Sequence, residues 1–168
     1  LTGITGLLGH ETAVQLLDKG YKIKALVRNL DWTRINIKNE NVEYVVGDIL
    51  DVELFNYIKG VDFVVHTAAI VSFAPKDRKE MYKTNIRGTE NVVNACLEAG
   101  VKKLCHVSSI ASFGRPPLKE MMKIDQVDID ENQKWVNSET NSHYAITKYL
   151  SENEVWRGGA EGLDTVIV

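Results

Sequence analysis

Thr2-Gly3-Ile4-Thr5-Gly6-Leu7-Leu8-Gly9 opens the chain and runs straight into a helix-like pattern. Three glycines at a spacing of three let a backbone turn tightly and approach a pyrophosphate, and the third lets the helix pack close to a sheet. The helix N-terminus adds unpaired N–H groups and a partial positive charge facing the phosphates. The spacing alone is weak. With glycine near 7% of residues, such a triplet arises by chance in roughly one chain of this length in twenty. Its weight comes from its place ahead of a helix and a regular alternation of strands and helices.

Strand-like and helix-like segments alternate from there on. Residues 21–27 (YKIKALV), 42–46 (VEYVV), 61–66 (VDFVVH), 104–107 (LCHV) and 165–168 (TVIV) are short, β-branched runs bounded by Gly, Asp or Ser, the pattern of buried parallel strands. Between them, helices are predicted over 7–19, stopping at Gly20, over 51–59, with Asp51 as cap and Gly60 as stop, over 77–99, ending at Gly100, and over 142–157. This order predicts an α/β fold: a Rossmann-type, doubly wound parallel sheet with helices on both faces, joined by right-handed crossovers. Residues 114–141, with Pro116-Pro117 and the acidic run DQVDIDENQ, exceed an ordinary loop. They are expected to be either a surface excursion or a flap beside the substrate.

Composition fits one soluble domain: 168 residues, 44% hydrophobic and 26% charged. The net charge of −3 argues against generic binding of nucleic-acid phosphates. The uncharged stretch from Phe63 to Pro75 is too short and polar for a bilayer span, and no signal peptide is evident, so neither nucleic acid nor membrane is an expected partner. Cys96 and Cys105 form no metal-ligand spacing. No metal is expected, and two thiols without a framework suit a reducing cytoplasm.

Nineteen residues after Gly9, the strand predicted over 21–27 ends in Val27-Arg28-Asn29. An acid there would bond a ribose 2′-hydroxyl, whereas an arginine suits a 2′-phosphate. Arg28, with Arg34 close enough to assist, therefore favours NADP(H) as cofactor, with NAD(H) possible; Asp31 is a competing acid beyond the strand end. Tyr144-Ala145-Ile146-Thr147-Lys148 places a phenol and an ammonium at i and i+4 on one helix face. Ser108 and Ser109 follow the fourth strand, at the carboxyl edge where open α/β sheets carry their sites. An unperturbed phenol is about 0.1% ionised at pH 7, and a nearby ammonium favours the phenolate. Tyr144 can then give a proton to a carbonyl oxygen or take one from an alcohol, while Ser109 holds that oxygen. Asn85 stands inside the long helix, where asparagine is a mediocre residue.

These residues, taken in order, resemble the extended short-chain dehydrogenase/reductase family, also called the NAD-dependent epimerase/dehydratase family. The likeness rests on TGITGLLG, Gly47-Asp48-Ile49, His66-Thr67-Ala68-Ala69, Thr84-Asn85-Ile86-Arg87-Gly88-Thr89, Val107-Ser108-Ser109 and the Tyr144/Lys148 pair, and covers almost the whole chain. The resemblance implies catalytic roles for Ser109, Tyr144, Lys148 and Asn85, the last supporting Lys148 through a water relay. It implies a cofactor held by Gly3, Thr5, Gly6, Leu7, Leu8, Gly9, Arg28, Asp48 (on the adenine amine), Ile49, Thr67, Ala68, Ala69, Ser108, Tyr144 and Lys148.

Within that family, sugar dehydratases carry an Asp–Glu pair where Ile110 and Ala111 stand, and sugar epimerases mostly carry an Asp where Arg28 stands. The VRN run and the Lys148-to-Glu152 spacing look more like the dihydroflavonol-reductase and carbonyl-reductase branch. The expected function is thus NADP(H)-dependent reduction of a ketone or aldehyde. The alternatives are a nucleotide-sugar epimerase with tightly bound NAD(P), and a non-catalytic dinucleotide sensor on the same fold. His143 is expected either to face substrate or to be solvent-exposed, and His66 to be structural. A homodimer through helices 77–99 and 142–157 is a further expectation. Only Leu1 and Thr2 precede the glycine loop, and the other end halts within a strand. Residues 1–168 are accordingly expected to be one dinucleotide-binding domain, cut at both ends, from a parent about twice as long.

Overall fold

A computed structural model describes residues 1–31, 35, 37–122, 130 and 132–168. Its strands are β1 (Ile23–Val27), β2 (Val42–Val46), β3 (Phe63–His66), β4 (Lys103–His106) and β5 (Thr165–Ile167). β1 pairs with β2, and β3 pairs with β4 and β4 with β5, all parallel. Thr2 joins the two groups, because it bridges Leu26 on one side and His66 on the other. The order is therefore β2-β1-Thr2-β3-β4-β5, with Thr2 in the central position of a doubly wound sheet.

The helices are α1 (Leu7–Asp18), α2 (Leu54–Ile58), α3 (Arg78–Tyr82), α4 (Gly88–Ala99), α5 (Leu118–Met121) and α6 (His143–Ala160). One apolar cluster gathers Leu54 and Ile58 of α2, Val92, Val93 and Cys96 of α4, Leu104 of β4 and Val155 of α6. The other lies beneath α1 and contains Ile4, Ala13, Ile23, Ala25, Val27 and Ile35. Gly158 sits where α6 meets α4, since a Cβ there would come within 2.5 Å of the Val93 side chain.

Three segments differ from the sequence expectation. The helix foreseen over 51–59 is only Leu54–Ile58, because the Asp51 carboxylate accepts the Asp48 amide at 2.8 Å and closes a turn upstream instead of capping a helix. The helix foreseen over 77–99 is helical throughout, entered from a 3-10 turn at Pro75–Asp77, but between α3 and α4 it widens into a π-helical segment, Lys83–Arg87. Such wide turns recur at functional sites. Segment 114–141 contains α5, and its described ends are tied together. The Asn141 side chain accepts the Arg115 amide at 2.8 Å, Glu139 accepts the Leu118 amide at 3.0 Å, and Trp135 stacks on Tyr149 of α6 at 4.2 Å. No described helix is long and apolar enough to cross a membrane.

Candidate active site

Gly3 has φ +77°, a left-handed conformation, and a Cβ there would lie 2.4 Å from the Thr67 hydroxyl. A Cβ on Gly9 would lie 2.1 Å from the Gly3 carbonyl oxygen. The loop thus closes on itself and on the end of β3 with no room for side chains. It leaves Gly6 as the uncapped N-cap of α1, with its amide bonded to the Gly3 carbonyl at 2.9 Å. Beside it opens a cleft of about 300 Å³. Its lining includes Gly3, Thr5, Gly6, Arg28, Asp48, Ile49, Thr67, Ala68 and Ala69 of the expected cofactor residues. A backbone cradle that a Cβ would fill, a helix N-terminus and an arginine at one end suit a dinucleotide.

Other expected residues fall elsewhere. Leu7 and Leu8 are not among the lining residues; both are exposed on the first turn of α1, Leu7 at 91%. Gly9 acts underneath the loop. Ile49 sends its side chain into the core against Gly88, so it can meet a ligand only through its backbone. Arg34 lies outside the described residues. Ile70 and Thr84 also line the cleft, a part for them that the motifs do not signal.

The chemical groups gather at the carboxyl end of β4. Ser142 caps α6 by accepting the Ala145 amide at 3.1 Å, which starts the helix that carries Tyr144 and Lys148 one turn apart. Lys148 is 2% exposed, and its ammonium donates to the Val107 carbonyl at 2.8 Å and lies 3.3 Å from His106 Nε2. Burial pulls its pKa down to about 8, with Glu152 opposing. Ser109 caps the 3-10 turn at Ile110–Phe113, its Oγ accepting the Ala111 amide at 3.2 Å. That leaves the hydroxyl proton to be donated elsewhere. Ser108, expected on the cofactor, has its hydroxyl donating to the Glu152 carboxylate on α6.

Asn85 lies in the π-helical segment and is 1% exposed. Its amide pairs with both backbone groups of Ile70, at 2.7 and 2.9 Å, and donates to the Thr147 hydroxyl at 3.0 Å. Thr147 in turn donates to the Tyr144 carbonyl at 2.8 Å. The side chain of Asn85 therefore braces the cleft wall and α6. His66 is structural, buried between the hydroxyls of Thr2 and Thr89 at 2.8 and 3.0 Å. Burial first, then the Lys148 charge, lowers its pKa to about 3. His143 is exposed and lies 3.1 Å from the Tyr82 hydroxyl.

Two neighbours of the site are not foreseen by the sequence. His106 reads there only as part of a strand. Phe73 stands edge-on to Tyr144, ring centroids 6.5 Å apart, while 78% exposed. It gives the phenol an apolar neighbour on its exposed side; Ile110, next after Ser109, is exposed as well. Among the described residues no cluster of His, Cys, Asp or Glu could hold a metal, and both cysteines are free thiols.

Comparison with known proteins agrees with this geometry. The sequence model described as "NAD dependent epimerase/dehydratase family" matches residues 1–168. A candidate dihydroflavonol 4-reductase of Synechocystis sp. is 32% identical over 168 residues, covering 100% of this chain and 47% of that protein. A UDP-N-acetylglucosamine 4,6-dehydratase (inverting) of Campylobacter jejuni is 31% identical over 159 residues, 89% of this chain and 47% of that protein. A short-chain dehydrogenase/reductase superfamily protein of Agrobacterium tumefaciens, solved with bound NAD, superposes with a TM-score of 0.80 at 28% identity, covering 99% of this chain and 46% of that one. The chain spans about half the length of the curated relatives it matches.

Proposed function

The chain belongs to the NAD-dependent epimerase/dehydratase family, and from that premise we propose that it carries the cofactor half of an NADP(H)-dependent enzyme that reduces a ketone or aldehyde. The observation that carries the reading is the buried Lys148 ammonium, fixed at the end of β4 on the helix that presents Tyr144. When bound, a nicotinamide dinucleotide supplies the hydride. Gly3, Thr5, Gly6, Asp48, Thr67 and Ala68 would hold it in the cleft. Arg28, exposed at the end of β1 and lining the same cleft, would meet a 2′-phosphate. Tyr144 donates its phenolic proton to the carbonyl oxygen, and in the reverse direction takes it from the alcohol. Ser109 donates a hydrogen bond to that oxygen. Lys148, one helix turn from the phenol, keeps a positive charge at the site below its pKa of about 8.

Phe73, exposed beside Tyr144, favours a carbonyl carried on an apolar group, since a phenyl ring offers nothing to sugar hydroxyls. A panel of aliphatic and aromatic aldehydes and ketones, scored by NADPH consumption with the full-length protein, tests this. Turnover of several apolar carbonyls is expected, and none at all would refute the reading.

A second reading, a nucleotide-sugar epimerase or dehydratase, is favoured by the dehydratase relatives and by a dTDP-glucose 4,6-dehydratase of Streptomyces venezuelae, solved with NAD, at TM-score 0.81 and 26% identity, covering 99% of this chain and 53% of that one. It requires a cofactor that is regenerated and retained through purification, with no net NADPH consumption. Pairing of two copies through α4 and α6, where Trp156 is exposed, belongs to the same proposal and is read by sedimentation.

A further inference from the structure

Two imidazoles lie side by side beneath the site. His66 and His106 have ring centroids 5.2 Å apart, and each ends a paired strand of the sheet. The tautomer of His66 is set by its partners. Thr89 donates its hydroxyl proton to the Asn85 carbonyl at 2.7 Å, so its oxygen accepts from His66 Nε2. With the ring proton on Nε2, His66 Nδ1 accepts from the Thr2 hydroxyl, whose oxygen also accepts the Ala68 amide at 3.2 Å. That ring is fully used in holding the Thr2 position and α4 together.

His106 is different. It is 2% exposed, and among the described residues its only hydrogen-bonding side-chain neighbour is the Lys148 ammonium, 3.3 Å from Nε2. An ammonium only donates, so Nε2 must accept and the ring proton must sit on Nδ1. Nδ1 has no partner; it is the one buried side-chain nitrogen or oxygen in that condition among the described residues. A buried polar atom left unsatisfied in a native fold calls for an explanation other than packing alone. Burial, then the charges of His66 and Lys148, lowers the His106 pKa to about 2, so the ring stays a neutral acceptor at every working pH.

We propose that His106 is a positioning residue for Lys148: its Nε2 and the Val107 carbonyl take two of the three ammonium protons, fixing Nζ and leaving the third for the reaction. The inference rests on the reading of Lys148 as a working group of the site. The groups around Nζ come from three elements: His106 and Val107 at the end of β4, Glu152 on α6, and His66 on β3. Among the described residues, His106 is the one side chain whose geometry makes it an acceptor from Nζ. Val107 would hold the ammonium alone if His106 were apolar.

The test uses full-length protein with His106→Gln, His106→Asn and His106→Phe, each checked for folding by thermal unfolding. A glutamine amide reaches the place of Nε2, whereas an asparagine amide reaches that of Nδ1. Two properties are measured. One is the titration of Lys148 Nζ by 15N NMR in lysine-labelled protein without cofactor, assigned with Lys148→Met. The other is the dissociation constant for NADPH by fluorescence. His106→Phe and His106→Asn are expected to lower the Lys148 midpoint by about one pH unit or more and to weaken NADPH binding about tenfold. His106→Gln should stay close to the parent protein in both. If His106→Phe does not fold, the contrast between Gln and Asn decides. Identical midpoints in all variants overturn the inference. Unchanged NADPH binding in Lys148→Met overturns the reading of the site itself. Weakened binding in Lys148→Met, with parent-like behaviour in His106→Asn and His106→Phe, overturns the role of His106 alone.

Discussion

The Asn85 amide donates to the Thr147 hydroxyl at 3.0 Å, tying the π-helical segment before α4 to the helix turn between Tyr144 and Lys148. The same amide pairs with both backbone groups of Ile70, a residue of the cleft wall. Asn85→Ala removes the partner of those two partly buried groups, and lost hydrogen bonds of this kind cost about 0.5–1.5 kcal/mol each. Urea unfolding should show a lower midpoint for Asn85→Ala, and NADPH should bind more weakly because Ile70 is no longer pinned. Parent-like stability in urea would mean that the amide is not a brace.

Gly9→Ala tests the cradle from below. The new methyl would sit 2.1 Å from the Gly3 carbonyl oxygen, so the loop or α1 must move. Overpacking of this kind typically costs about 1–3 kcal/mol. Calorimetric titration should show weaker binding of NADPH than in the parent, with thermal unfolding at a lower temperature. Gly20→Ala is the control: φ there is +81°, so it strains the backbone, but nothing lies within 4 Å of its Cβ and the cleft is untouched.

Much of this is legible in the sequence because parallel strands and glycine loops leave local marks. Five strand segments and the glycine loop can be placed from residue type and spacing alone. The π-helical turn inside the long helix cannot. Nothing in KTNIR marks a π-helical turn, and the bonds of its Asn85 side chain to Ile70 and Thr147 reach across 15 and 62 residues. Asp51 misleads for a similar reason, since an Asp before a helical run caps a helix or closes a turn depending on which amide lies nearest. His106 carries no signal within LCHV, because its meaning comes from Lys148, 42 residues away. Ser108 has the residue type and position of a cofactor contact, but its hydroxyl is taken by Glu152, 44 residues on.

Arg28→Ala should change cofactor choice more than chemistry. Hydrogen bonds to charged groups are worth about 1.5–3 kcal/mol, so its loss should weaken NADPH by roughly 10- to 100-fold and leave NADH nearly unchanged. Dissociation constants for both, measured on the same preparation, give the ratio directly. An unchanged ratio would remove Arg28 from cofactor selection.

The two buried histidines give stability an acid dependence. His66 and His106 have folded-state pKa values of about 3 and about 2, both lowered chiefly by burial, against 6.5 when unfolded. Between pH 6.5 and 3 the unfolded chain binds a proton at each that the folded chain does not, so stability falls as pH falls. The slope is about 1.4 kcal/mol per pH unit for each histidine. His106→Gln should remove one such increment, read from urea midpoints at pH 7, 6, 5 and 4. Lys148 acts at the other end. Its folded pKa of about 8 lies below the usual 10.5, so its cost is relieved, and stability rises, as pH climbs from 8 to 10.5.

Tyr144→Phe separates the proposed reductase from a binding protein on the same fold. The phenol is the proton source in the proposed reaction, and general acid catalysis by a positioned side chain is worth about 10²–10⁴ in rate. Phenylalanine keeps the ring that meets Phe73 edge-on at 6.5 Å, so packing and NADPH affinity should survive. Carbonyl-dependent NADPH oxidation should fall by that factor with the dissociation constant unchanged. Loss of rate and affinity together would point to a structural fault. A full rate in Tyr144→Phe would take the phenol out of the mechanism and return Lys148 and Ser109 to the role of supports.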